Sequence, residues 1–169
     1  MQELRVETSV NNYLSVVDRM AALGCQMPSG LAILPDNFGT ASSLDDFVYA
    51  ATATTVRTLL RNHSIPCEGI TLSEERPKYA SYKNAEWVGP VFYISWSLLT
   101  DSGAPWLAVL EVMKDYLTGY FRGRPAPTTI RLRYIVETEP GHTYKELNYE
   151  GSIEGMDKLP AVLRAASDD

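Results

Sequence analysis

Residues 129–137, TIRLRYIVE, decide the fold class. Ile130, Leu132, Tyr134 and Val136 alternate with Arg131, Arg133, Ile135 and Glu137, the two-residue period of a strand with one buried and one wetter face. Just downstream, Glu139-Pro140-Gly141-His142 places Pro second and Gly third in a tight turn, so residues 144–149 are expected to return as the antiparallel partner. Beyond that hairpin, Asp157 can cap a last helix through about Ala165, with Pro160 inside its permissive first turn.

Upstream, the apolar face Trp106, Leu107, Leu110, Met113, Leu117, Tyr120 and Phe121 recurs at helical spacing behind Pro105, a residue tolerated where a helix begins. Residues 91–98, VFYISWSL, are rich in strand formers and read as the central strand, with small serines that leave room for close packing. Residues 44–61 read as one helix capped by Ser43, with Asp45 and Asp46 at its positive end and Arg57 and Arg61 at the other. A short strand at 31–34 follows the Pro28-Ser29-Gly30 turn, and 65–72 reads as a strand weakened by Pro66 and Gly69. At the start, 4–8 reads as a strand, and Val10, Leu14, Val17, Met20 and Ala21 predict a helix ending near Leu23, before Gly24.

This order predicts an α/β (α+β) fold: a mixed or antiparallel sheet with helices mainly on one face. A ferredoxin-like split βαβ unit over 31–137 is the candidate topology, followed by the C-terminal hairpin and helix. At 169 residues, 45% hydrophobic and 21% charged, residues 1–169 are expected to form a single globular domain that needs neither disulfide nor structural metal.

Fifteen basic against twenty-one acidic residues give a net charge of −6, which disfavours non-specific nucleic-acid binding and anionic lipid surfaces. No apolar run approaches the ~18 residues of a membrane span, and charges occupy the place of a signal-peptide core, so a cytoplasmic chain without membrane insertion is expected. Cys25 and Cys67 stand apart, without a CxxC or Cys/His cluster, as reduced structural thiols do. Two histidines, His63 and His142, do not complete a zinc set in the usual spacings. There is no GxSxG, GxGxxG or GxxxxGK[ST] motif, and no catalytic residue, metal ligand or cofactor is assigned. Asp45-Asp46 and Glu74-Glu75 are read as helix-start and loop charges.

Two constellations remain. The stretch 76–87 interleaves basic and aromatic residues, Arg76, Lys78, Tyr79, Tyr82, Lys83 and Trp87, types that anchor protein interfaces. It is read as a loop and as the expected partner-binding surface, with a mere covering loop as the plain alternative and base stacking on nucleic acid ranked below the protein interface. The arginines Arg122, Arg124, Arg131 and Arg133 form a candidate anion site, because guanidinium forks match phosphate and carboxylate. The plainer alternative is a solvent-facing outer hairpin strand whose arginines are balanced by Glu137, Glu146 and Glu150. The sequence therefore favours a non-enzymatic protein-binding module, such as an accessory, inhibitor or immunity-type subunit. A small enzyme or sensor holding an anionic metabolite or nucleotide is the first alternative, drawing on the arginines, His63 or Cys67. A homo-oligomeric structural protein pairing through an exposed hairpin edge is the second.

Overall fold

A computed structural model describes residues 7–70, 78–80, 86–101, 105–123, 129–140 and 142–167. The elements are β1 (Glu7–Tyr13), α1 (Val16–Leu23), β2 (Leu31–Leu34), β3 (Val48–Ala50), α2 (Ala53–Asn62), β4 (Lys78–Ala80), β5 (Glu86–Ile94), α3 (Trp96–Leu99), α4 (Pro105–Tyr120), β6 (Thr129–Glu139), β7 (Thr143–Gly151) and α5 (Leu159–Ser167). Five strands form one mixed sheet in the order β1-β7-β6-β5-β2, and β3 and β4 form a separate parallel pair. The architecture is α+β, as the residue patterns predict.

The β6–β7 hairpin forms as expected, with His142 N–H donating to the Glu139 carbonyl at 3.0 Å across the turn. It is not an outer hairpin, because β1 pairs along the whole outer side of β7, from Glu7 opposite Glu150 to Tyr13 opposite Tyr144. β5 and β6 run parallel through the α3 and α4 crossover, and β2 lies antiparallel to β5 at the far edge. The ferredoxin-like split order is therefore replaced by one contiguous βαβ unit, because β5 and β6 are direct parallel neighbours with no strand inserted between them.

One sheet face carries Trp87, Phe92, Ile130, Leu132 and Tyr134 by register, all buried, with the Phe92 and Tyr134 rings stacked at 5.3 Å. On this face α4 packs through Tyr116, whose ring meets Trp87 edge-on at 6.4 Å. Lys114 of α4 binds Asp157 at 2.6 Å, which tethers the turn leading into α5. That ion pair, rather than a helix cap, is what Asp157 provides. On the opposite face a Val17 backbone hydrogen bond reaches the Tyr144 side chain, so α1 covers part of the second face and the helices are not confined to one side.

Four further expectations change. The helix expected from Val10 begins only at Val16, where the Ser15 hydroxyl accepts the Asp18 N–H at 3.3 Å, although Gly24 ends it as predicted in the left-handed region, φ 74°. Val10 and Leu14 fit helical spacing, but both are exposed, and pairing with β7 satisfies the β1 backbone instead. The helix expected over 44–61 is broken into a 3-10 turn at Leu44–Asp46, strand β3 and helix α2. Asn37 explains the break: its Oδ1 accepts the Val48 N–H at 2.9 Å and its amide donates to the Asp46 carbonyl at 2.7 Å. Val48 also accepts the Asp36 N–H at 2.7 Å, so these bonds hold the backbone extended where the side-chain pattern suggests helix.

The central strand is displaced toward the N-terminus, from the expected 91–98 to Glu86–Ile94, because the Ser95 hydroxyl accepts the Leu98 N–H and starts α3. The buried Ser95 donates to the Ser29 carbonyl at 2.9 Å, which is the close packing its small side chain permits. Within the described part of 65–72 there is no strand. A single parallel bridge joins Glu68 to Ala32, and the Glu68 carboxylate accepts the Ser29 and Gly30 N–H groups at 2.8 and 2.9 Å.

Candidate functional site

The hairpin arginines lie where the strand period puts them, on the wetter face of β6. They line a groove of about 780 Å³ with Glu7, Asp36, Asn148 and Glu150. Register sets Arg131 opposite Glu150 and Arg133 opposite Asn148. Arg131 Nη2 meets Glu150 Oε1 at 3.3 Å, with about half of each side chain exposed (51% and 43%). Arg133 is more enclosed: Nη2 donates to Glu146 at 2.9 Å, Nη1 donates to the Asp36 carbonyl at 3.2 Å, and its guanidinium lies 5.9 Å from the Tyr13 ring centre. Burial disfavours ionisation of Glu146, but hydrogen bonds from Arg133 and Asn148, with the Arg133 charge, outweigh it and hold the carboxyl below its usual range. Burial raises the Tyr13 hydroxyl despite the lowering effect of Arg133.

The groove is thus electrostatically matched from within, as the plainer reading of these arginines predicts for Glu146 and Glu150. Glu137 does something else. Its carboxylate accepts the Trp96 N–H at 2.9 Å and the Tyr144 hydroxyl at 3.1 Å, knitting α3 to the hairpin. Burial and this neighbouring carboxylate push Tyr144 up to about 12. Arg122 is exposed beyond α4 and does not line the groove, and Arg124 lies outside the described residues.

A second pair of guanidinium groups sits on α2. Arg57 and Arg61 are one turn apart, and Arg57 lies over the Tyr49 ring at 5.0 Å. Tyr49 stands in β3 directly opposite Tyr79 of β4, and their rings meet at 6.4 Å. Tyr49 is buried while Tyr79 is 43% exposed, so the stack leads from the interior to the surface. Burial raises the Tyr49 hydroxyl, with Arg57 opposing the shift. Beside the stack, Arg57 and Arg61 line a shallow depression of about 410 Å³ with Ser64, Ile65, Pro66 and Cys67.

Neither Arg57 nor Arg61 has a carboxylate partner among the described residues. Glu68, adjacent in sequence to the depression, is held by Ser29 and Gly30. Burial pushes the Cys67 thiol up to about 11, with Arg57 lowering it only in part. A thiol held protonated at neutral pH is a poor nucleophile. Cys25 is also raised, chiefly by burial.

The chain matches no protein-family model, no curated protein and no solved structure.

Of the expected partner-binding residues, Lys78 and Tyr79 are exposed, but on strand β4 rather than on a loop. Lys78 pairs with Val48 and so projects to the ribbon face opposite Tyr79. Trp87 corrects the sequence reading: it is 5% exposed, lies in β5 and packs under Tyr116, because the central strand begins five residues earlier than its apolar run suggests. Arg76, Tyr82 and Lys83 lie outside the described residues. The sequence reading missed Tyr49, Arg57 and Arg61 as a surface. The four-residue spacing of the arginines was visible, but treating 44–61 as one helix hid the strand that carries Tyr49 to Tyr79. Among the described residues, no three His, Cys, Asp or Glu side chains gather as a metal site would require, and no helix is long and apolar enough to cross a membrane.

Proposed function

We propose that this protein is a binding module whose contact surface is formed by Tyr79, Arg57 and Arg61, with the buried Tyr49 ring supporting Tyr79 and Arg57 from beneath, and whose partner is a protein presenting an acidic segment. The observation that carries this reading is the pair of α2 guanidinium groups without a carboxylate partner among the described residues, set beside an exposed tyrosine. Such a pair can form bidentate bonds with incoming carboxylates, and a ring already stacked loses little side-chain freedom on contact. Tyr and Arg are the residue types that most often dominate binding energy. On a chain of net charge −6, a local cationic surface also steers an acidic partner to one place.

The anionic-metabolite reading has the weaker support, since a ligand at Arg131 and Arg133 must displace Glu150 and Glu146. Native mass spectrometry of the protein purified gently from its own cells tests the proposal. A stoichiometric protein partner is expected, and it is lost in Tyr79→Ala and Arg61→Glu while their melting temperatures stay at the wild-type value. Retention of that partner by both variants overturns the assignment of the surface.

A further inference from the structure

The two edges of the main sheet are finished differently. Along β2, every residue from Leu31 to Leu34 is buried, and the segment after α2 lies alongside, with the Glu68 N–H donating to the Leu31 carbonyl at 2.8 Å. Along β1, residues 7–12 are exposed, Tyr13 is partly buried, and no strand among the described residues occupies the outer side. Among the described residues β1 carries few of the devices that blunt an edge, Glu7 being its one charge. Its seven consecutive pairs with β7 show no bulge, its sequence ETSVNNY has neither Lys nor Pro, and it carries one of the few large apolar side chains left exposed, Val10 at 41%, with Leu14 just beyond it at 36%. A regular edge of this kind is a template for another strand.

We infer that this strand is β1 of a second copy, paired antiparallel across a two-fold axis at Val10. The sequence suits self-pairing. With Val10 opposite Val10, Ser9 meets Asn11, Thr8 meets Asn12, and Glu7 meets Tyr13. The lone charge of the strand therefore never faces its own copy. The two Glu7 side chains stand about 20 Å apart, at opposite ends of the seven-residue ladder. Each Glu7 instead approaches the uncharged Tyr13, so no like charges of the two copies meet along the ladder. A two-fold contact of one edge with itself is closed, so it ends at a dimer rather than a fibre. The hairpin edge, the edge the sequence suggests for self-association, is already filled by β1. This inference is independent of the α2 patch.

Light scattering of the full chain, from low to high micromolar concentration, tests it. The wild type is expected to approach twice the chain mass as concentration rises. Val10→Lys is expected to remain monomeric with an unchanged circular-dichroism spectrum, because two lysines would then face each other at the axis. Under mild oxidation Val10→Cys is expected to give a covalent dimer and Glu7→Cys to give none, since only residue 10 meets its own copy. A wild type that stays monomeric throughout overturns the inference, and so does a dimer that survives Val10→Lys. A monomer whose β1 amides become protected only on adding an extended peptide would assign the edge to a foreign strand and likewise contradict self-pairing.

Discussion

The molecule holds two pairs of arginines two or four residues apart, and their surroundings give them opposite roles. Arg131 and Arg133 project from one strand face toward carboxylates that the neighbouring strand supplies in register, at 3.3 and 2.9 Å. Arg57 and Arg61 project from one helix, Arg57 over the Tyr49 ring, with no carboxylate partner among the described residues. The hairpin satisfies its own charges because pairing places Glu150 directly opposite Arg131 and Glu146 within reach of Arg133. The helix has no such partner strand, and its nearest acidic neighbour in sequence, Glu68, is taken by backbone amides. A guanidinium matched internally contributes to folding, whereas one left unmatched at the surface is available for recognition.

The largest effect expected from this contrast is on binding. Tyr79→Ala and Arg57→Ala should each weaken the partner complex by roughly 30-fold, about 2 kcal/mol, measured by titration calorimetry with the partner. Arg61→Ala should leave folding stability within about 0.5 kcal/mol of wild type, since Arg61 is exposed and its side chain makes no hydrogen bond or ion pair among the described residues. Equal losses in binding from Arg57→Ala and Arg131→Ala would erase the distinction.

Next comes stability. Arg133→Ala removes two hydrogen bonds and strands the partly buried Glu146, so it should cost about 1.5–3 kcal/mol in urea unfolding. A shifted midpoint with unchanged slope would mark this as a native-state loss. The same pair should appear in the acid limb. Because the Glu146 carboxyl is held below its ordinary 4.5, its contribution is present above that pH and is lost as pH falls through the depressed value. Arg133→Ala should therefore flatten that limb, while Arg57→Ala leaves it intact. Arg131→Ala should have the smallest effect, no more than about 1 kcal/mol, because its ion pair is half exposed. A larger loss from Arg131 than from Arg133 would contradict the geometry.

Alkaline pH tests the interior common to both regions. Burial raises Cys67 from 9.0 to about 11 and Tyr149 from 10.0 to about 12. Both groups favour the folded protein in their neutral forms. Their contribution is full below pH 9 and is lost as pH climbs through 9 to about 12, which pH-dependent unfolding monitored by tyrosinate absorbance would follow.

Much of this contrast could be read from the sequence on the hairpin side and little of it on the helix side. The strand period over Thr129 to Glu137, the Pro-Gly turn and the charges of β7 are local, so the hairpin and its balanced arginines follow from neighbouring residues. The long α4 and the Gly24 stop are legible for the same reason. The α2 surface depends on long-range contacts. Asn37 extends residues 46–48 from nine to eleven positions away, and Tyr49 meets Tyr79 through a parallel pair with no local signature. β1 shows the same limit, since its polar sequence becomes a strand only because β7 offers a matching edge. Trp87 was misplaced because the central strand extends past its apolar run, through Gly89, where an added Cβ would come within 2.8 Å of Leu132 and Trp87.

The most direct test is to measure the affinity of the native partner for the wild type, for Arg57→Gln/Arg61→Gln and for Arg131→Gln, with folding of each checked by calorimetry. The account predicts that the helix double variant loses the partner and that Arg131→Gln binds as the wild type does, all three remaining folded. Undiminished binding by the helix double variant, or loss confined to Arg131→Gln, would contradict it.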